Sequence, residues 1–163
     1  MVPGEAVIGH GIDLVDIDRI AEMLERHGDR FTERCFTAGE RAYADAGKRR
    51  RAERYAARFA CKEAVLKALG TGWRDGISWT DVAVVHEPSG RPVVELSGRC
   101  RELALARGWL RWFVSLSHAG PAVRDDAWPG IPRAPGIPGA PGAPGGGFAM
   151  ASIVVWGSET PVR

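Results

Sequence analysis

Three residues in two separated stretches could do chemistry together: Asp13 in GIDLVDIDRI, and Glu63 and Lys67 in RFACKEAVLKALGTG. Neither carboxylate sits where an acidic side chain is at ease. Hydrophobic periodicity predicts a helix from near Arg51 to the stop at Gly70, with Tyr55, Phe59 and Leu66 on its buried stripe. Glu63 falls on the shoulder of that stripe, and Lys67 lines up with it one turn later. A carboxylate beside an apolar face is costly unless a metal, a cation or a proton compensates it. The plainer alternative is a solvated Glu63–Lys67 pair worth about 0.3 kcal/mol.

Asp13 lies in a predicted strand, Val7 to Leu14, where Asp is disfavoured. Ile8, His10, Ile12 and Leu14 take one face of that strand. Asp13 shares the other with Gly9 and Gly11, whose lack of a side chain lets something approach the backbone closely. Capping of the next helix is the alternative for Asp13, although Asp16 and Asp18 are better placed for it. Two hard oxygen donors suit Mg²⁺, which keeps several waters and completes its shell with substrate phosphates. Read from the residues, the chain is a Mg²⁺-dependent enzyme acting on a phosphate or diphosphate, with cations offsetting charge on the phosphoryl oxygens.

The cations are present. Net charge is only +2, yet from Lys48 to Lys67 there are eight Lys or Arg against two Glu, a local balance of +6. Arg58, Lys62 and Lys67 flank Glu63 in sequence. Such a patch suits nucleic acid, an acidic protein or a phosphorylated small molecule, or is a solvated face. The Gly70-Thr71-Gly72 loop follows a helix C-terminus, which is electronegative, so side-chain cations would have to anchor any phosphate there. Arg19, Met23, Arg26 and Arg30 form one stripe on a helix from Asp18 to His27 that buries Ile17, Ile20 and Leu24 and ends at Gly28. Arginines flanking an adaptable methionine suit an acidic docking partner, and an exposed helix surface explains the stripe almost as well.

The elements that must position these groups follow in order. Thr37 and Glu40 form a capping box opening a short helix, which Gly47 breaks before the long one. Asp81 to His86 and Pro92 to Leu96 read as a hairpin. Ser97 caps a helix running to Arg107, and Trp112 to His118 is a strand. Pro and Gly then recur from Pro121 to Gly147, a composition that cannot pack and samples extended conformations. Phe148 to Trp156 resumes as the last strand, so 121–147 is a flexible insertion within a single domain spanning 1–163. The sum is a compact α+β domain.

With 45% hydrophobic and 26% charged residues the composition is that of a globular protein, and no run reaches the length of a membrane span. The first residues lack a signal-peptide pattern. Cys35, Cys61 and Cys100 are odd in number and widely spaced, suiting a reducing cytoplasm rather than a disulfide framework or zinc.

GIDLVDIDRI, RFACKEAVLKALGTG, WTDVAV and SLSH, in that order, closely resemble the holo-acyl-carrier-protein synthase family of phosphopantetheinyl transferases. The likeness runs from about Ile8 to His118 and resumes at Phe148. It implies a small, mostly antiparallel sheet packed on a long helix. It also implies transfer of 4′-phosphopantetheine from coenzyme A to a serine of an apo acyl carrier protein, with release of adenosine 3′,5′-bisphosphate. By resemblance, Asp13 and Glu63 match the family's Mg²⁺ ligands and Lys67 its catalytic lysine near the diphosphate. Arg50, Arg58, Lys67, His118 and the Gly70-Thr71-Gly72 loop match coenzyme A-binding positions, and Arg19, Met23 and Arg26 match the carrier-docking helix. The family's short members are homotrimers with sites shared between subunits, and neither nucleic acid nor membrane is an implied partner. Ala119 and the insertion after SLSH depart from the family pattern, as does Cys61 where alanine is usual. A nucleic-acid module gripping through KRRR, and an inactive scaffold for carrier proteins, are the competing functions.

Overall fold

In the computed structural model, residues 5–74, 76–119 and 147–158 are described. The chain runs β1 (Glu5–Asp16), α1 (Ile17–Cys35), α2 (Ala38–Asp45), a 3-10 turn (Lys48–Arg50) and α3 (Arg51–Leu69). A second 3-10 turn (Trp79–Asp81), β2 (Val82–His86), β3 (Pro92–Leu96), α4 (Gly98–Ala106), β4 (Trp109–Ala119) and β5 (Phe148–Ser158) follow. The α+β class is as the sequence implies, with antiparallel pairing throughout. Among the described residues there are two sheets, one of three strands in the order β1-β5-β4 and one formed by the β2-β3 hairpin.

The three-stranded sheet lies on α3. Alternate residues of β5 (Ala149, Ala151, Ile153 and Val155) are buried against Tyr55, Ala56, Ala60, Ala64, Val65 and Leu66 of the helix. Contact is closest at Gly11. A Cβ added there would stand 1.9 Å from the Ala64 carbonyl oxygen and 2.8 Å from the Ala68 nitrogen. The bare strand face thus lets β1 lie directly on the helix, and Asp13, two residues along the same face, is carried to the α3 surface.

The opposite face of this sheet is apolar and exposed. Ile12 and Leu14 of β1, Phe148 and Met150 of β5 and Phe113 of β4 all stand on it. Leu14 is in register with Met150, and Val154, opposite Phe113, continues the face.

Local signals decide where elements begin. Asp16 caps α1, its Oδ1 accepting from the backbone N–H groups of Asp18 at 2.8 Å and Arg19 at 3.3 Å. Gly28 ends the first helical stretch as expected, with non-helical dihedrals (φ +48°, ψ −128°), and a second stretch follows across the kink to Cys35. Thr37 and Glu40 form the expected capping box. Ser97, in contrast, makes no side-chain cap for α4. Asp81 supplies it, accepting from the Arg99 N–H at 3.0 Å, while the Ser97 hydroxyl donates to the Thr80 carbonyl.

The strands at both chain ends are longer than periodicity suggests, because pairing continues past the apolar run: β1 extends to Asp16, opposite Phe148, and β4 begins at Trp109, opposite Gly157. Ala119 pairs with Phe148. The Gly/Pro-rich stretch 121–147 leaves and returns at that rung, and all of it but Gly147 lies outside the described residues.

Candidate functional site

Asp13 is delivered by β1, Glu63 and Lys67 by successive turns of α3. The Asp13 carboxylate, 14% exposed, accepts from the Lys67 Nζ at 2.7 Å, whereas Lys67 itself is 55% exposed. Asp13 therefore caps nothing; its partner is the lysine. Glu63 is half-buried and does not pair with Lys67. Its Oε1 accepts from the indole Nε1–H of Trp73 at 3.3 Å. Asp13 and Glu63 line one cavity of about 390 Å³, with Arg19, Ile20 and Met23 of α1, Phe31, Phe59 and Phe148 closing its apolar side. Asp16 is on the same wall. Three carboxylates, and two residues of the arginine–methionine stripe, thus open onto one space. Arg26, the third of the stripe, does not line it and pairs with Glu22 at 3.5 Å on the exposed helix surface.

The expected coenzyme A residues divide. Arg50, Arg58 and His118 line a second cavity of about 280 Å³, together with Tyr43, Glu53, Arg54 and His86. Lys67 lines neither cavity and meets the first only through its ion pair with Asp13. Gly70 and Gly72 both hold positive φ, at +66° and +56°, which turns the chain away from the end of α3. Between them the buried Thr71 hydroxyl has no hydrogen-bond partner among the described residues.

Arg58 is only 2% exposed. Its Nη1 donates to the Arg54 carbonyl at 3.1 Å, its guanidinium carbon lies 4.0 Å from the Tyr43 ring centre, and its buried Nε has no hydrogen-bond partner among the described residues. Burial pulls its pKa below the ordinary value, an effect that Glu40 and Tyr43 partly offset. His86 stacks on Tyr43 with ring centres 4.6 Å apart. Burial, then the charges of Arg58 and Arg54, hold its imidazole below its usual pKa. His118 sits at the mouth, 3.7 Å from the Glu53 carboxylate.

Lys62 belongs to neither cavity, contrary to its placement beside Glu63 in sequence. It points into the core, donating to Glu40 Oε2 at 2.9 Å, to the Trp79 carbonyl at 3.0 Å and to the Val82 carbonyl. The next residue on a helix turns about 100° away, so the neighbour of a site residue faces elsewhere. The basic run is also partly committed, since Arg51 pairs with Asp45 at 2.7 Å. Trp73, Tyr43 and His86 carry no spacing signal and were missed by sequence reasoning. Only the tendency of a part-buried Trp or His to seek a partner could have flagged them.

Comparison with known proteins bears on the family and the fold. The family model described as the 4′-phosphopantetheinyl transferase superfamily matches residues 9–119. The holo-[acyl-carrier-protein] synthase of Methylobacterium radiotolerans is 52% identical over 119 residues, covering 71% of this chain and 87% of that protein. That of Koribacter versatilis is 45% identical over 112 residues, covering 69% of this chain and 89% of its own length. Among solved structures, Helicobacter pylori holo-[acyl-carrier-protein] synthase in complex with coenzyme A superposes with a TM-score of 0.61 at 26% identity, covering 90% of this chain and 98% of that one.

Proposed function

The chain belongs to the 4′-phosphopantetheinyl transferase superfamily, and we infer from that premise that it acts as a holo-acyl-carrier-protein synthase. It moves the 4′-phosphopantetheine arm of coenzyme A onto a serine of an apo acyl carrier protein and releases adenosine 3′,5′-bisphosphate. The observation that carries the assignment of roles is the shared wall: Asp13 and Glu63 open onto the same cavity as Arg19 and Met23 of α1. The carrier would dock its acidic surface along Arg19, Met23 and Arg26, bringing its serine to the carboxylates.

The donor set fits Mg²⁺. Asp13 and Glu63 are hard oxygen donors opening onto one cavity, and among the described residues no group of three or more His, Cys, Asp or Glu is placed to hold a metal ion. A two-carboxylate site would leave coordination positions for water and diphosphate, as Mg²⁺ requires. When bound, the ion would neutralise charge on the diphosphate oxygens. The serine oxygen attacks the β-phosphorus in line, its new P–O bond forming as the bond to the bridging oxygen of adenosine bisphosphate breaks. Lys67 meets the negative charge growing on that leaving oxygen. The serine proton has two carboxylate candidates on the cavity wall, Glu63 and Asp16, besides water.

The second cavity would take the adenosine bisphosphate end, through Arg50, Arg58 and His118, with the Gly70-Thr71-Gly72 loop as a further contact. In support, Arg58 is a buried cation with unused donor capacity and no carboxylate partner among the described residues. By resemblance to the family's short, trimeric members, coenzyme A would lie across two chains, with the carboxylate cavity from one and the arginine cavity from its neighbour. The exposed apolar side chains on β1, β5 and β4 are compatible with a face that meets another copy of the chain. Three buried free thiols suit a reducing cytoplasm, and among the described residues no helix is long and apolar enough to cross a membrane.

The test is incubation with apo carrier protein, coenzyme A and Mg²⁺, followed by weighing the carrier. A gain of one phosphopantetheine is the expected result, and Glu63→Gln should abolish it with the fold intact. No gain on any fatty-acid, polyketide or peptide carrier would reduce the protein to a scaffold.

A further inference from the structure

We propose that Trp73 is a positioning residue that holds Glu63 in the rotamer needed to bind the divalent cation; the inference rests on the reading of Glu63 as a metal ligand. The chain leaves α3 through two residues of positive φ, Gly70 and Gly72. That turn folds Trp73 back over the helix, where its indole lies against Trp79, and Trp79 in turn packs on Phe59 with ring centres 4.6 Å apart. Phe59 is one helical turn before Glu63. A three-ring stack therefore runs along the flank of the carboxylate, and its outermost member supplies the hydrogen bond to Oε1.

Indole nitrogen is a donor only. Its bond fixes one carboxylate oxygen and leaves the other available to an ion in the cavity that Glu63 lines. Asp13 is fixed by a different device, the Lys67 ion pair. The two ligands are thus each oriented from outside the ion's own shell, the role in which outer hydrogen bonds change metal affinity by about 10- to 100-fold.

The experiment uses Mn²⁺ as a paramagnetic probe, titrated into the full-length protein with saturating coenzyme A and read by the loss of free-ion resonance. Trp73→Phe keeps an aromatic ring but loses the donor, and should weaken Mn²⁺ binding about tenfold. Trp73→His restores a ring N–H and should recover most of that loss. At saturating metal, turnover of Trp73→Phe should return close to that of the unsubstituted enzyme. If Trp73→Phe binds Mn²⁺ normally while Glu63→Gln does not, Trp73 has no such role and the ligand assignment survives. If Glu63→Gln also binds normally, the ligand assignment itself falls. A measurement on the unsubstituted protein guards against variants that do not fold: one indole N–H proton resonance must shift when Mg²⁺ and coenzyme A are added, and constancy of all of them overturns the proposal.

Discussion

The Asp13 carboxylate and the Lys67 ammonium meet at 2.7 Å, tying the centre of β1 to the last turn of α3. The acid is largely enclosed and the lysine is mostly in solvent, so the pair is anchored on one side and free to swing on the other. A diphosphate arriving with its cation would compete for both members. On the proposed reading, Lys67 would share its ammonium between Asp13 and the substrate oxygens, so that Asp13 is not left as an isolated buried charge.

Lys67→Ala should consequently separate stability from activity. An ammonium that is more than half exposed contributes at most about 1 kcal/mol to folding, so the melting temperature should move by only a few degrees. Turnover should fall about 100-fold or more, the usual effect of removing a group that stabilises developing charge. Single-turnover transfer to the apo carrier, followed by mass, measures it. Activity within a factor of three of the parent would remove Lys67 from the reaction.

The Lys62–Glu40 pair should behave in the opposite way. Both side chains are fully enclosed, and Glu40 also accepts from the Thr37 N–H at 2.9 Å and the Val84 N–H at 3.1 Å. One carboxylate thus ties α2, α3 and β2 together. Lys62→Met leaves that carboxylate buried beside apolar groups and should cost about 3–5 kcal/mol. Urea unfolding gives the value. A double change that also replaces Glu40 by Leu should recover part of the loss, and failure of the single change to destabilise would show that the charge is relieved by water.

What could be read in advance divides along a physical line. Helix starts, the close approach at Gly11 and the acidic pair at residues 13 and 63 come from period, glycine and cap chemistry, which are local. Lys62 was misplaced because sequence adjacency to Glu63 says nothing about which side of the helix it leaves. Ser97 lost its cap to Asp81, a residue brought in by tertiary folding. The Trp73 bond, and the division of Arg58 from Glu63 into different cavities, depend on how a loop folds back and which face α3 shows to β2. No periodicity encodes either.

Tyr55 makes a pH prediction. Its buried phenol donates to the Asp45 carboxylate at 3.0 Å, and burial, aided by that bond, pushes its pKa up to about 12 from 10. The folded state therefore holds this proton more tightly than the unfolded chain. Its contribution is complete below pH 10 and is lost as pH rises toward 12. Urea midpoints compared with those of Tyr55→Phe at pH 9, 10 and 11 isolate the effect, because the lysines titrate alike in both proteins. The parent's advantage should shrink across that range. An advantage that stays constant would show that the phenol is not held in its protonated form.

The two-cavity arrangement can be tested by mixing defective chains. Asp13→Asn damages only the carboxylate cavity, and Arg50→Ala only the one lined by Arg58 and His118. If each working site takes one cavity from each of two neighbours, a one-to-one co-assembly pairs an intact carboxylate cavity with an intact arginine cavity in about a quarter of its interfaces, by random association in a cyclic oligomer. Transfer activity should rise to about that share of the parent's, although each variant alone is nearly inactive. Adding Ile12→Glu to both chains places a charge on the exposed sheet face, away from both cavities, and should abolish the rescue while leaving each fold intact. A mixture no better than the mean of its components would confine the complete site to one chain, and the exposed face of β1, β5 and β4 would then need a different occupant.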